Sequence, residues 1–379
     1  MRQKQVTFLT GTRADFGKLS PLIRRLADST GFEIEIVATG MHLLSKYGYT
    51  VIEILQKTGS SRVYPIFNQG SSSTEKMDIV LANTIVPLSH YLNERQPDLL
   101  VVHGDRVEAL AGAIAGALNN VLVAHLEGGE VSGTIDESMR HATSKMAHIH
   151  LVANEVSRRR LLQLGEEEQS IFVIGSPEVD VMHSADLPTI DQARARYAIE
   201  FPDYAIFIYH PVTTELATLE KNISEVIKAL ERTGHNYVAV RPNNDIGSEI
   251  VSSYVTRFAA SNQVRLLPSI RFEYYLTLLK HARYIVGNSS SGIREAPGFG
   301  VPCVNIGTRQ RNRSENHAIF NVADSAEEIY DTIMRLPKRV APCALFGDGN
   351  AAGKFVEILK GKVIWSVPRQ KTFVDRAVL

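Results

Sequence analysis

Short apolar runs punctuate this chain, and each stops at a small or polar cluster. Val6–Thr10 stops at Gly11-Thr12-Arg13, and Glu33–Ala38 at Thr39-Gly40-Met41-His42. Leu99–Val102 stops at His103-Gly104-Asp105-Arg106, and Val121–Ala124 at His125-Leu126-Glu127-Gly128-Gly129. Such runs do not alternate with polar residues, which is the pattern of strands covered on both faces. The stretches between them are long enough for helical crossovers, so the strands are predicted to be parallel. Val107–Leu118 is the clearest helix; its Gly112 and Gly116 let it lie close on the sheet. Glu75–Arg95 is predicted as a long helix with Ile79, Leu81, Ile85, Leu88 and Leu92 turned inward and Pro87 as a kink site.

The alternation then repeats. Ile149–Ala153 and Ile171–Ile174 flank a charged helix, Glu155–Leu164. A second set of strands follows: Ala205–Tyr209, ending at His210-Pro211, then Tyr237–Val240, ending at Arg241-Pro242-Asn243-Asn244-Asp245. Val264–Leu267, Tyr284–Val286 and Cys303–Ile306 continue it, with helices at Glu215–Thr233, Ser248–Ala260, Phe272–His281 and Ala326–Arg335. This is an α/β chain with two Rossmann-like domains, expected at 1–175 and 176–363, joined near Gly175–Pro188. The last stretch, 364–379, is expected to return to the first domain. At 379 residues the chain exceeds what one core usually serves.

Composition narrows the function. A formal net charge of zero gives no bulk attraction to nucleic acid or to a membrane surface. Two cysteines, Cys303 and Cys343, cannot make a disulfide scaffold and suit a reducing cytosol. No Cys/His spacing accompanies them, so no metal site is expected. Neither G-x-G-x-x-G nor a Walker pattern occurs, so no dinucleotide, ATP or other cofactor is expected. The apolar run near the N-terminus, Val6–Leu9, is too short for a signal peptide and reads as a strand. A soluble, cytoplasmic protein is the expectation.

Three acids, Asp105, Glu127 and Asp136, fall at or just past neighbouring strand ends, the edge where open α/β sheets bind ligands. Asp136 is expected on a loop. Gly287-Asn288-Ser289-Ser290-Ser291-Gly292 follows an apolar strand, and its small residues let backbone amides approach an anion. It reads equally as a polar turn with a serine cap. Arg13, Arg106, Arg241, Arg271 and Arg309 stand just past apolar runs or in glycine-flanked loops, where guanidinium forks suit a diphosphate. Glu295 is placed to accept ribose hydroxyls or to stabilise its own helix. Three acids near a diphosphate repel one another, so at least one is expected to hold a proton. Among the strand-ending histidines His42, His103, His125 and His210, one or two are expected to bind phosphate or move protons, and the others to be satisfied in the core.

Seven motifs in order, Gly11–Lys18, His103–Arg106, His125–Glu130, Ser132–Asp136, His210–Thr214, Gly287–Ser290 and Gly307–Gln310, resemble the hydrolysing UDP-N-acetylglucosamine 2-epimerases of bacterial sialic acid synthesis. Related non-hydrolysing enzymes read Pro-Glu at Ala14-Asp15 and lack the Glu127–Glu130 sequence. The resemblance implies a GT-B fold, two Rossmann-like domains closing over a UDP-sugar. It implies conversion of UDP-N-acetylglucosamine and water into N-acetylmannosamine and UDP, by elimination to a glycal followed by hydration. Catalytic roles are implied for Asp105, Glu127, Asp136 and His210. Contacts to UDP or substrate are implied for Arg13, Gly17, Lys18, His42, Arg106, Arg140, Asn243, Ile270, Ser289, Ser290, Glu295 and Arg309, and a homodimer is implied as well. The same chemistry on UDP-2,4-diacetamido-2,4,6-trideoxyglucose, as in legionaminic acid synthesis, is the nearest rival. A GT-B glycosyltransferase and a non-catalytic nucleotide-sugar sensor are the others.

Overall fold

The computed structural model describes residues 2–58, 61–70, 76–243, 245–313 and 316–375. The serine run Ser71–Ser73, the expected helix start at Glu75, and Asn244 lie outside the described residues. Met1–Glu130, Asp136–His183 and Phe346–Leu379 form one unit; Val131–Ile135 and Ser184–Leu345 form the other. This differs from the expected boundaries at three places, the first being Val131–Ile135, which falls in the second unit. Residues 176–183 and 346–363 belong to the first unit, because Gly175 packs on Gly347 and the Ser176 N–H donates to Phe346 O at 2.6 Å. Gly175 is in the left-handed region at φ +88°, and the Gly347 Cα lies 3.3 Å from where a Cβ would stand.

The first unit holds a seven-stranded parallel sheet. In chain order its elements include β1 (Lys4–Thr10), α1 (Arg13–Ala27), β2 (Phe32–Thr39), α2 (Val51–Lys57), β3 (Arg62–Ile66) and α3 (Met77–Arg95). There follow β4 (Leu99–His103), α4 (Val107–Leu118), β5 (Leu122–Leu126), α5 (Ile135–Met146), β6 (Ile149–Val152) and β7 (Ile171–Val173). The spatial order is β3-β2-β1-β4-β5-β6-β7. One face packs on α1 and on the returning helix Ala351–Lys360, whose Phe355 and Leu359 join Phe8, Leu22 and Val101 in the core. The other face packs on α3 and α4. A side-chain carbon on Gly112 would lie 2.6 Å from Leu9, and one on Gly116 2.4 Å from Val123. Both glycines are therefore needed for the close helix-on-sheet approach.

The second unit holds a six-stranded parallel sheet of β8 (Ala205–Ile208), β9 (Tyr237–Val240), β10 (Val264–Leu267), β11 (Ile285–Gly287), β12 (Cys303–Ile306) and β13 (Ile319–Val322), ordered β10-β9-β8-β11-β12-β13. Edge strands β3 and β13 are absent from the apolar-run reading. β3 carries Pro65 and stays half-exposed, and β13 is interrupted by Asn321, so neither has a clean core pattern. The inward face of α3 also differs: Val80, Thr84, Leu88, Tyr91 and Leu92 are buried, while Ile79 points outward.

Candidate active site

In the first unit the strand order reverses between β1 and β4, which opens a crevice at their carboxyl ends. A chain of alternating charges crosses it. Thr12 caps α1 by accepting the Asp15 N–H at 3.1 Å. The Asp15 carboxylate turns back on β1, accepting from Thr10 Oγ1 at 2.7 Å and from the Gly11 N–H at 2.9 Å. Its other oxygen meets His103 Nδ1 at 2.7 Å, and His103 Nε2 lies 3.2 Å from Glu127 Oε2. Ser176 donates to the second Glu127 oxygen at 2.5 Å. Lys18 in α1 stands 3.9 Å from Glu127 and pairs with the buried Glu178.

Burial alone would strip the proton from His103. Glu127 and Asp15 outweigh it and raise the ring to about 10, so it is a cation at neutral pH. Burial also opposes charge on Asp15, yet His103, Thr10 and Gly11 hold its carboxyl below the usual range. His125 and His42 go the other way. Burial lowers His125 to about 3, with Nε2 at 2.7 Å from Gly104 O and Nδ1 at 2.9 Å from Ser144 Oγ. Burial lowers His42 to about 4; its ring bonds to Thr10 at 3.1 Å and Thr50 at 2.7 Å. His42 is thus a neutral ring, buried and bonded to Thr10 of β1.

Glu127 sits at φ +62°, the left-handed region that costs a non-glycine residue roughly 1–2 kcal/mol. Sustained strain of this kind at a strand end re-aims a side chain, here the carboxylate. On the neighbouring strand end, Asp105 pairs with the guanidinium of Arg140, which is fully buried and also donates to Glu130 O at 3.3 Å. Asp136 lies in the first turn of α5 and not on a loop, one turn before Arg140 on the same helix face. The expected mutual repulsion of the acids is therefore met by cations, His103 and Lys18 at Glu127 and Arg140 at Asp105.

Arg106 caps α4 and its Nε lies 3.3 Å from Glu108 Oε2. Glu108 is buried beneath the turns after β1 and β2: a Cβ on Gly40 would stand 2.6 Å from its Oε1, and one on Gly11 3.2 Å from its Cδ. Arg13 donates to Glu53 of α2 at 2.6 Å, and Gly17 is buried in α1.

In the second unit the order reverses between β8 and β11, and here too a polar bridge spans the switch. Asn288, after β11, accepts the His210 N–H at 2.7 Å and donates to His210 O at 2.8 Å. His210 Nδ1 accepts the Asn243 N–H at 3.1 Å, so the ring proton of the neutral form is assigned to Nε2. Arg309 Nη1 and Gln310 Nε2 both donate to Asn288 O, at 3.2 and 3.1 Å. The following turn places Ser289 and Ser290 ahead of the short helix Ser291–Arg294. Gly287 is obligatory at φ +129°, since a Cβ there would stand 1.9 Å from Ile208 O. Glu295 is buried just past the short helix near Tyr275, whose hydroxyl is pushed up by burial and then by that carboxylate. Ile270 is buried before the helix Phe272–His281; Arg241 is exposed, and the Arg271 N–H donates to Tyr197 at 2.9 Å.

Of the residues expected at the site, Asp105, Glu127, Arg106, Lys18 and Arg140 lie about the first crevice and His210, Asn243, Ser289, Ser290 and Arg309 about the second. Asp15, Ser176, Glu178, Glu108 and Gln310 are assigned no role from the sequence. For Asp15 a signal is present: Thr12-x-x-Asp15 is a helix-start pattern set directly after a strand. Among the described residues, no group of three or more His, Cys, Asp or Glu could hold a metal ion, and no helix is long and apolar enough to cross a membrane.

Residues 24–360 match the sequence model of the family described as UDP-N-acetylglucosamine 2-epimerase. The chain is 42% identical, over 98% of its length and 99% of the relative's, to the UDP-N-acetylglucosamine 2-epimerase of Neisseria meningitidis serogroup B. It is 33% identical, over 94% of this chain and 96% of the relative's, to the UDP-N,N'-diacetylbacillosamine 2-epimerase (hydrolyzing) of Legionella pneumophila. Among solved structures it is similar to the Methanocaldococcus jannaschii UDP-GlcNAc 2-epimerase in complex with UDP-GlcNAc and UDP, at TM-score 0.78 and 21% identity over 94% of this chain and 99% of that one. That likeness gives the fold, the GT-B class with its two Rossmann-like parallel sheets.

Proposed function

This chain belongs to the UDP-N-acetylglucosamine 2-epimerase family, and on that premise we propose that it converts UDP-N-acetylglucosamine and water into N-acetylmannosamine and UDP. The reaction runs in two stages. A carboxylate of the Asp105, Glu127 and Asp136 set takes the C2 proton while the C1–O bond breaks, its electron pair leaving with UDP. The former C2–H pair becomes the double bond of a 2-acetamidoglucal. Water then adds its oxygen to C1, and C2 is protonated on the opposite face. The C2 hydrogen is a weak acid, so C1–O cleavage runs ahead and the departing diphosphate needs stabilisation. Arg309, the amides after Asn288 and His210 supply it, at a few kcal/mol per well-placed donor. Asn243, Ile270, Ser289, Ser290 and Glu295 hold the nucleotide; Arg13, Arg106 and Lys18 bear on the sugar phosphate.

One observation carries this reading. At adjacent strand ends, two acids each have a buried cation of their own, His103 for Glu127 and Arg140 for Asp105. Such countercharge favours the ionised carboxylate beside an anionic substrate, the form that can accept a proton. The greater identity to the Neisseria relative than to the Legionella one favours UDP-N-acetylglucosamine over the diacetamido sugar. N-Acetylmannosamine is the precursor of sialic acid, so the enzyme opens that pathway, and we place it in the cytoplasm as a homodimer.

The test is turnover in deuterated water. Free UDP and N-acetylmannosamine carrying one deuterium at C2 are expected. Retention of the original C2 hydrogen rules out the elimination, and turnover of the diacetamido sugar alone moves the substrate to the rival. A monomer mass by light scattering overturns the dimer.

A further inference from the structure

Arg369 and Lys371 have no part in the reaction outlined above, yet Lys371 is bound tightly to the helix that carries Asp136. Lys371 Nζ donates to the backbone carbonyls of Ala147, Lys145 and Ser144 at 2.6, 2.9 and 3.3 Å, and to the carboxylate of Glu166. The carbonyls of Ser144 and Lys145 belong to the last turn of α5, where helix oxygens have no partner of their own. A cation there also meets the negative end of the helix dipole. Glu166 is fixed in turn by His150 at 2.9 Å and Lys145 at 3.0 Å. Two residues upstream a second pin holds the tail: His148 Nδ1 accepts the Val123 N–H of β5 at 3.1 Å, leaving Nε2 to donate to Arg369 O at 2.9 Å.

We propose that this tail is a positioning strap, in which Lys371 fixes the lengthwise placement of α5 and through it Asp136 and the Arg140–Asp105 pair. α5 runs 12 residues, about 18 Å at 1.5 Å per residue, as one rigid rod. A shift admitted at its C-terminal end is therefore delivered to Arg140 and to Asp136. Lys371 touches no reacting atom; it is a positioning residue, and its role rests on the reaction proposed above.

The experiment compares Lys371→Met, Lys371→Arg and the wild-type enzyme with UDP-N-acetylglucosamine, beside hydrogen exchange of the α5 amides. Lys371→Met should lower kcat about tenfold or more, the scale of a small misplacement at a reacting centre. KM should stay within about twofold, because the nucleotide contacts lie in the other unit. Lys371→Arg should restore most of the loss, and exchange should quicken across the last turns of α5 in Lys371→Met alone. Unchanged kcat in Lys371→Met overturns the strap, as does a kcat loss without faster exchange in α5. If Lys371→Met fails to fold, Lys371→Gln takes its place and is judged by the same two readouts: a kcat loss with faster α5 exchange supports the strap, and unchanged kcat or a kcat loss with wild-type exchange overturns it. Failure of the wild-type enzyme to turn over the sugar overturns the reaction assignment instead and leaves the exchange result to judge the strap.

Discussion

His103→Gln isolates the charge that joins Asp15 of α1 to Glu127 at the end of β5. Glutamine keeps a polar side chain of comparable size and removes the cation. The ring is raised from 6.5 to about 10 on folding, which is worth about 4 kcal/mol to the folded chain at pH 7, at about 1.4 kcal/mol per pH unit. Removing one partner of a buried ion pair costs about 3–5 kcal/mol, so two independent routes agree. Because the folded value lies above the unfolded one, this stabilisation is complete below about pH 6.5 and is lost as pH climbs to about 10. Wild type and variant should therefore differ by about 3–4 kcal/mol at pH 7 and by little at pH 10. Urea titrations from pH 6 to 10 measure the gap. Trp365, the sole tryptophan, packs against the core of the first unit, so its fluorescence reports that unit. A gap that stays constant from pH 7 to 10, or one below about 1 kcal/mol at pH 7, refutes the charged bridge.

Three further outcomes are expected. Arg140→Met should cut kcat about a hundredfold with UDP affinity intact, because Asp105 loses its buried cation; calorimetry showing an equal loss of UDP binding contradicts this. Gly287→Ala should destabilise the second unit by about 2 kcal/mol or more and weaken UDP binding, since the added carbon meets Ile208 O; an unchanged melting temperature contradicts it. Treatment with a chelator should leave turnover unchanged, arginine and lysine supplying the countercharge; activity lost and then restored by a divalent cation counts against that.

The doubly wound architecture is legible in the sequence because parallel strands buried on both faces must be continuously apolar. β4 shows this best: Leu99, Leu100, Val101 and Val102 run without a polar residue, and all four are fully buried. Of the edge strands, β3 stays hidden because it faces solvent in part and needs no apolar run, whereas β7 and β10 are legible. Asp136 reads as a loop residue because α5 has a polar composition, with its helical periodicity carried by Met139, Arg140 and Thr143. Charged residues such as Asp105 and Arg309 announce themselves by standing just past strand ends. Residues that act by supporting others, such as Asp15, Ser176 and Glu108, depend on contacts distant in sequence and become visible only when the chain is folded. The histidines show the limit most plainly. His42, His103 and His125 all stand at or near strand ends, yet their surroundings decide that one is a cation and two are neutral.

The discontinuous first unit has a consequence during synthesis. Phe355 stacks near Phe8 with ring centroids 6.1 Å apart, and it arrives only after the whole of 184–345 has left the ribosome. At about 5–20 residues per second that is a wait of roughly 8–30 s. The portion translated earliest is thus the last to be sealed, and until then Phe8, Leu22 and their neighbours offer a sticky surface to chaperones or to other nascent chains.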